Sequence, residues 1–143
     1  MKHMGILLFD GVEELDAVGP WEVLAYWTRH YPEDGYDVAL VTADGKPVTA
    51  AKGMVMTPHL SRAEAPDFEV FLHPGGFGTR ALTKDEEHLD WIRSMRSDVP
   101  LMTSVCTGSL VYAAAGILAG RPAGEDRARE VRRGIQYDPE PPV

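Results

Sequence analysis

A single cysteine, Cys106, stands in a chain of 143 residues, so no internal disulfide staples the fold, and a reducing, cytoplasmic setting is expected. No apolar run approaches the roughly 20 residues of a membrane span. The N-terminal run Gly5-Ile6-Leu7-Leu8-Phe9 is too short for a secretory signal and has no cleavage-like site. Positive charge is also scarce: 14 Lys and Arg against 22 Asp and Glu leave a net charge of -8, which provides no basic face for nucleic acid. The five histidines, His3, His30, His59, His73 and His88, lack metal-ligand spacing, and one cysteine makes no zinc site. None of them follows Cys106, which removes a Cys-His-Asp triad whose histidine comes after the nucleophile. Gly75-Gly76-Phe77-Gly78 has neither the G-x-G-x-x-G spacing nor the Lys-Ser/Thr ending of a phosphate loop.

What is present is an acidic globular composition, 44% hydrophobic and 25% charged, long enough for one domain with a sizeable core. Residues 5–9 are continuously apolar and close on Asp10-Gly11, as in a strand buried on both faces. Pro20 is expected to open the first helix, with Trp21 and Leu24 on one face and Asp16 in the preceding loop. Residues 36–42 read as a second strand, and 46–57 as short strands turning at Gly45 and Gly53. Residues 69–73 form a further strand ending in Pro74-Gly75-Gly76. Leu89, Ile92 and Met95 then fall at helical spacing behind the acidic start Asp85-Glu86-Glu87. This order predicts an α/β fold, a three-layer αβα sandwich of flavodoxin type around a mainly parallel sheet. No internal repeat or low-complexity tract interrupts it.

The chemistry centres on Pro100-Leu101-Met102-Thr103-Ser104-Val105-Cys106-Thr107-Gly108-Ser109. An apolar strand stops at the cysteine and small residues precede a helical run, the pattern of a nucleophile elbow with sulfur in place of hydroxyl. A helix N-terminus favours the thiolate, and the Thr107 N–H is placed to face developing negative charge. Asp16 is the candidate proton donor, since a loop aspartate at a strand end reaches the same crevice. Gly75 and Gly76 let a substrate approach backbone N–H groups. His73 reads as a satisfied buried histidine at the rim.

Four segments carry a family resemblance: Leu7-Leu8-Phe9-Asp10-Gly11-Val12, Leu15-Asp16 with Gly19-Pro20-Trp21-Glu22-Val23, His73-Pro74-Gly75-Gly76, and Ser104-Val105-Cys106-Thr107-Gly108-Ser109. Together they resemble the ThiJ/PfpI superfamily, with a fold like the class I glutamine amidotransferases, and within it the isocyanide hydratase branch. The resemblance runs from about residue 4 to residue 123. It implies a lyase that adds water to an isocyanide to give an N-substituted formamide, with no metal or organic cofactor. Cys106 would attack the isocyanide carbon and Asp16 would protonate and orient. Thr107 would hold the acid or thiolate, and the amides of Gly76 and Thr107, beside Gly75, would shape the substrate pocket. A small-molecule substrate and a homodimer are implied, with no membrane or nucleic-acid partner.

The chain departs from that pattern after Gly120-Arg121-Pro122-Ala123. Members continue with a Thr-Thr-His-Trp segment, further strands and a helix; here a charged helical run over 124–133 and a proline-rich end over 134–143 follow at once. A piece on the order of 50 to 60 residues is therefore expected to be absent at 123/124 from an otherwise single domain, leaving a sheet edge uncovered. Alternative readings are an amidase or glyoxalase-like enzyme of the same superfamily, a redox sensor oxidised at Cys106, or the ligand-sensing domain of a transcription regulator.

Overall fold

The structure, a computed structural model, describes residues 1–118; the segments 124–133 and 134–143 and the junction at 123/124 lie outside the described residues. In chain order it contains β1 (Lys2–Leu7), α1 (Glu14–His30), β2 (Tyr36–Thr42), β3 (Val48–Thr49), β4 (Val55–Met56), β5 (Leu60–Ser61), β6 (Phe68–His73), α2 (Thr79–Leu82), α3 (Glu86–Asp98), β7 (Leu101–Ser104) and α4 (Gly108–Ala114). Five strands form a parallel sheet in the order β5-β2-β1-β6-β7, while β3 and β4 pair antiparallel beside it. This is the expected flavodoxin-like α/β arrangement, a mainly parallel sheet flanked by helices.

The sheet order positions the site. From β1 the chain crosses through α1 to β2 on one side, whereas β6 and β7 lie on the other. Right-handed crossovers then put α1 and α3 on opposite faces and make the gap between β1 and β6 the switch point, where such sheets bind ligands at strand carboxyl ends. The apolar run that begins the chain fills the centre: Ile6, Leu7 and Leu8 are almost wholly buried, with Phe71 of β6, Ile92 of α3 and Val111 of α4 packed in the same core. Leu89, Ile92 and Met95 face inward as their spacing predicts, and the Asp85 carboxylate caps α3 by accepting the His88 N–H at 3.1 Å.

Two boundaries differ from expectation. β1 covers Lys2–Leu7, so Leu8 and Phe9 lie beyond the ladder, although the Leu8 N–H still bonds the Val41 carbonyl at 2.8 Å. More consequentially, α1 starts at Glu14 and Pro20 lies inside it, which moves Asp16 from the predicted loop into the first helical turn. The acidic pair Glu14 and Asp16 suits the positive end of the helix dipole and Ala17 is buried beneath it, which outweighs the one backbone bond that Pro20 removes. β5 and α2 were not predicted; two and four residues are too few to carry a period.

Two features of the interior bear on the site. At Gly108 an added Cβ would fall 2.1 Å from the His73 carbonyl oxygen and 2.8 Å from that of Pro74, so the start of α4 meets the end of β6 backbone to backbone. Behind this contact His73 and His88 are buried with their Nε2 atoms 3.0 Å apart, and His73 Nδ1 lies 2.8 Å from the Pro74 oxygen. A carbonyl only accepts, so His73 carries its proton on Nδ1, and His88 donates from Nε2. Phe9 and Tyr112 pack on the His73 ring, and Trp91 on that of His88. Burial pushes both imidazoles down, His73 to about 3 against the pull of its Pro74 bond, and His88 to about 4 against the pull of Asp85.

Gly108→Ala should lower the unfolding free energy by about 3 kcal/mol in urea titrations. Gly35→Ala, where φ is +73° but nothing lies within 4 Å of the added atom, should cost only about 1 kcal/mol. The histidine pair gives a pH signature. Both rings are neutral when folded and gain a proton near pH 6.5 when unfolded, so the unfolded chain binds more protons and stability declines as pH drops from about 6.5 towards about 4. At pH 5, His88→Gln should flatten that slope by about one proton, roughly 1.4 kcal/mol per pH unit.

Candidate active site

The elbow is built by its backbone. β7 ends at Ser104, the Val105 N–H bonds the His73 carbonyl at 3.1 Å, and Cys106 adopts φ +51°, the sole non-glycine residue at positive φ among the described residues. A left-handed conformation at such a residue costs on the order of 1 kcal/mol and persists only where neighbours impose it. The turn is fixed further by the Gly108 N–H on the Val105 carbonyl at 3.0 Å and the Ser109 hydroxyl on the Cys106 carbonyl at 3.2 Å. Cys106 is exposed. The N–H groups of Cys106 and Thr107 donate to no acceptor among the described residues.

The three sequence-distant pieces meet through Gly75. A Cβ there would lie 2.6 Å from the Thr107 nitrogen and 2.8 Å from Cys106 Cβ, so only glycine lets the β6 loop rest against the elbow. The N–H of the same residue donates to Asp16 Oδ2 at 3.1 Å. Asp16, half-buried in the first turn of α1, is thereby held one residue away from the cysteine. Its helix is tied in turn by the Glu13 N–H on the Gly75 carbonyl at 2.9 Å.

Gly76 and Thr107 are engaged with each other. The Gly76 N–H donates to Thr107 Oγ1 at 3.0 Å, and Thr79 closes the ring, its hydroxyl donating to the Gly76 carbonyl at 2.7 Å and lying 3.1 Å from Thr107 Oγ1. The Gly76 amide, expected to face the substrate, thus faces the elbow. The Thr107 side chain, expected at the acid or thiolate, sits on the Gly76 loop. Its backbone N–H remains available, so the open donors belong to Cys106 and Thr107.

Residues without a legible signal complete the surroundings. Thr79 is buried and lies on the unpredicted α2. Lys52 follows the β3 strand, its backbone N–H bonds Glu14, and its ammonium pairs with Glu13. The Glu13 hydrogen bond raises the Lys52 pKa above its usual value, and Asp16 is among the carboxylates that add to this. That this lysine adds to the field felt around Asp16 could not be read from a position 36 residues away in a hairpin. Among the described residues no group of three or more His, Cys, Asp or Glu is arranged to hold a metal, and no helix is long and apolar enough to cross a membrane.

The chain is 42% identical over 121 residues to isonitrile hydratase of Pseudomonas putida, an alignment covering 85% of this chain and 50% of that protein. It is 30% identical to an uncharacterised protein of Streptomyces lividans over 82% of each. The crystal structure of a ThiJ/PfpI family protein from Pseudomonas syringae superposes with a TM-score of 0.75 at 30% identity, covering 83% of this chain and 48% of that one. The chain thus spans about half the length of the hydratase and of that crystal structure. The DJ-1/PfpI family model matches residues 2–125, the region that includes the elbow, the Gly75-Gly76 loop and Asp16: the chain belongs to the DJ-1/PfpI family.

Proposed function

We propose that the protein is a cysteine-dependent hydratase that converts an isocyanide, R-NC, into the N-substituted formamide, R-NH-CHO. The observation that carries this reading is the junction of Asp16, Gly75 and Cys106, supported by the 42% identity to an isonitrile hydratase. An isocyanide carbon accepts a nucleophile and a proton at one atom, which suits an exposed sulfur with a carboxyl group alongside and requires no histidine.

In the first step Cys106 Sγ forms a bond to the terminal carbon while that carbon takes a proton delivered through Asp16, giving the thioimidate R-N=CH-S-Cys. Negative charge that develops on the substrate falls near the open N–H groups of Cys106 and Thr107. Water then adds to the same carbon, the C–S bond breaks, nitrogen keeps a proton, and the thiol is restored as the formamide leaves. His73 and His88 hydrogen-bond to each other and to the Pro74 carbonyl. They serve the wall of the site and not its proton transfers, which disfavours Cys-His hydrolase chemistry. A homodimer fits the same reading, since α1 leaves Leu15, Val23 and Tyr26 exposed.

Formamide production from an alkyl isocyanide, followed by chromatography, tests the proposal. Cys106→Ala should reduce turnover by at least about 1,000-fold, and Asp16→Asn by roughly 100-fold or more. Equal rates in the parent and Cys106→Ala would overturn it.

A further inference from the structure

Asp16 and His73 grip opposite ends of one peptide group. The Pro74 carbonyl oxygen accepts from His73 Nδ1–H at 2.8 Å, and the N–H on the other side of that amide, from Gly75, donates to Asp16 Oδ2 at 3.1 Å. No peptide among the described residues is cis, so the C=O and N–H of this amide point in opposite directions and its plane is clamped from both sides. Turning the plane away from either partner breaks both bonds. A donor on the carbonyl also polarises the amide and strengthens its N–H.

His73 is itself held so that it serves only as a donor to Pro74. Its Nε2 accepts from His88 at 3.0 Å, which fixes the tautomer. The polar groups around the pair are committed elsewhere: the Tyr112 hydroxyl donates to the Thr103 carbonyl at 2.7 Å, Asp85 caps α3, and Arg62 pairs with Glu87. The His73 backbone also accepts the Val105 N–H and lies against Gly108. The same residue therefore supports the elbow with its main chain and the acid's partner with its ring.

We infer that His73 is a positioning residue for the Asp16 carboxylate, acting through the Pro74–Gly75 peptide, with His88 setting which ring nitrogen of His73 bears the proton. The role rests on the reading of Asp16 as the acid of the proposed reaction, and nothing in it requires His73 to touch substrate.

Histidine nitrogen NMR on the unaltered protein at pH 7 gives the first test: His73 should carry its proton on Nδ1 and His88 on Nε2. His73→Phe retains an aromatic ring without the donor, and His73→Asn returns an N–H near the Nδ1 position. In the Phe variant the Gly75 amide proton should exchange roughly tenfold faster, and kcat for isocyanide hydration should fall about tenfold with KM little changed, the effect of losing one hydrogen bond to a fixed acceptor. The Asn variant should recover most of both. An Nε2-only proton on His73, an unchanged Gly75 amide in His73→Phe, or failure of His73→Asn to rescue would each overturn the inference. If His73→Phe does not fold, the tautomer in the unaltered protein decides. If the unaltered protein hydrates no isocyanide, the hydratase reading alone fails, and the tautomer and Gly75 amide measurements still judge the clamp.

Discussion

The site depends on places where main chain approaches main chain more closely than a Cβ permits. Gly75 rests on the elbow at Cys106 and Thr107, and Gly108 rests on the carbonyls of His73 and Pro74. Each glycine belongs to one side of the crevice and receives the other, so the β6 loop and the elbow interlock. Hydrogen bonds then set orientation: Gly75 to Asp16, Gly76 to Thr107, Val105 to His73. Side-chain packing fills the sheet below, but it does not by itself bring the acid and the sulfur together.

Much of this arrangement was legible in the residues. Continuous apolar strands at the start of the chain and before Gly75-Gly76, with a strand running into Cys106, required a parallel sheet, and a parallel sheet gathers its strand ends. The alternation after Gly35 and the spacing of Leu89, Ile92 and Met95 placed β2 and α3 closely. The N-terminal boundary of α1 was less legible because Pro20 is a strong local signal, whereas the anchoring of the preceding turn by Gly75 is a contact across more than sixty positions. For the same reason Asp16 was found as a residue while its partner was not. An amide N–H has no letter in the sequence, and neither does its direction.

The polar interior follows the same logic of fixed direction. His73 and His88 could have been an ordinary buried pair, yet their proton order is dictated by one carbonyl, and that carbonyl belongs to the amide that faces Asp16. Thr79 and Thr107 likewise brace the Gly76 loop with hydroxyls instead of offering them to solvent. The polar groups near the cysteine are thus divided between those spent on holding the loops and those left open. This division leaves an exposed Cys106 beside two backbone N–H groups without an acceptor among the described residues, with the Asp16 carboxylate held by Gly75.

The left-handed conformation of Cys106 has an evolutionary consequence. At φ +51° the backbone favours glycine, so the position is occupied by a cysteine against its own conformational preference. A descendant released from selection for chemistry would gain conformational ease by exchanging the whole side chain, Cβ included, for a hydrogen atom, and drift would run in that direction. Under the proposed chemistry, retention of sulfur at this corner is a mark of use, whereas its loss would leave the architecture intact and slightly more robust.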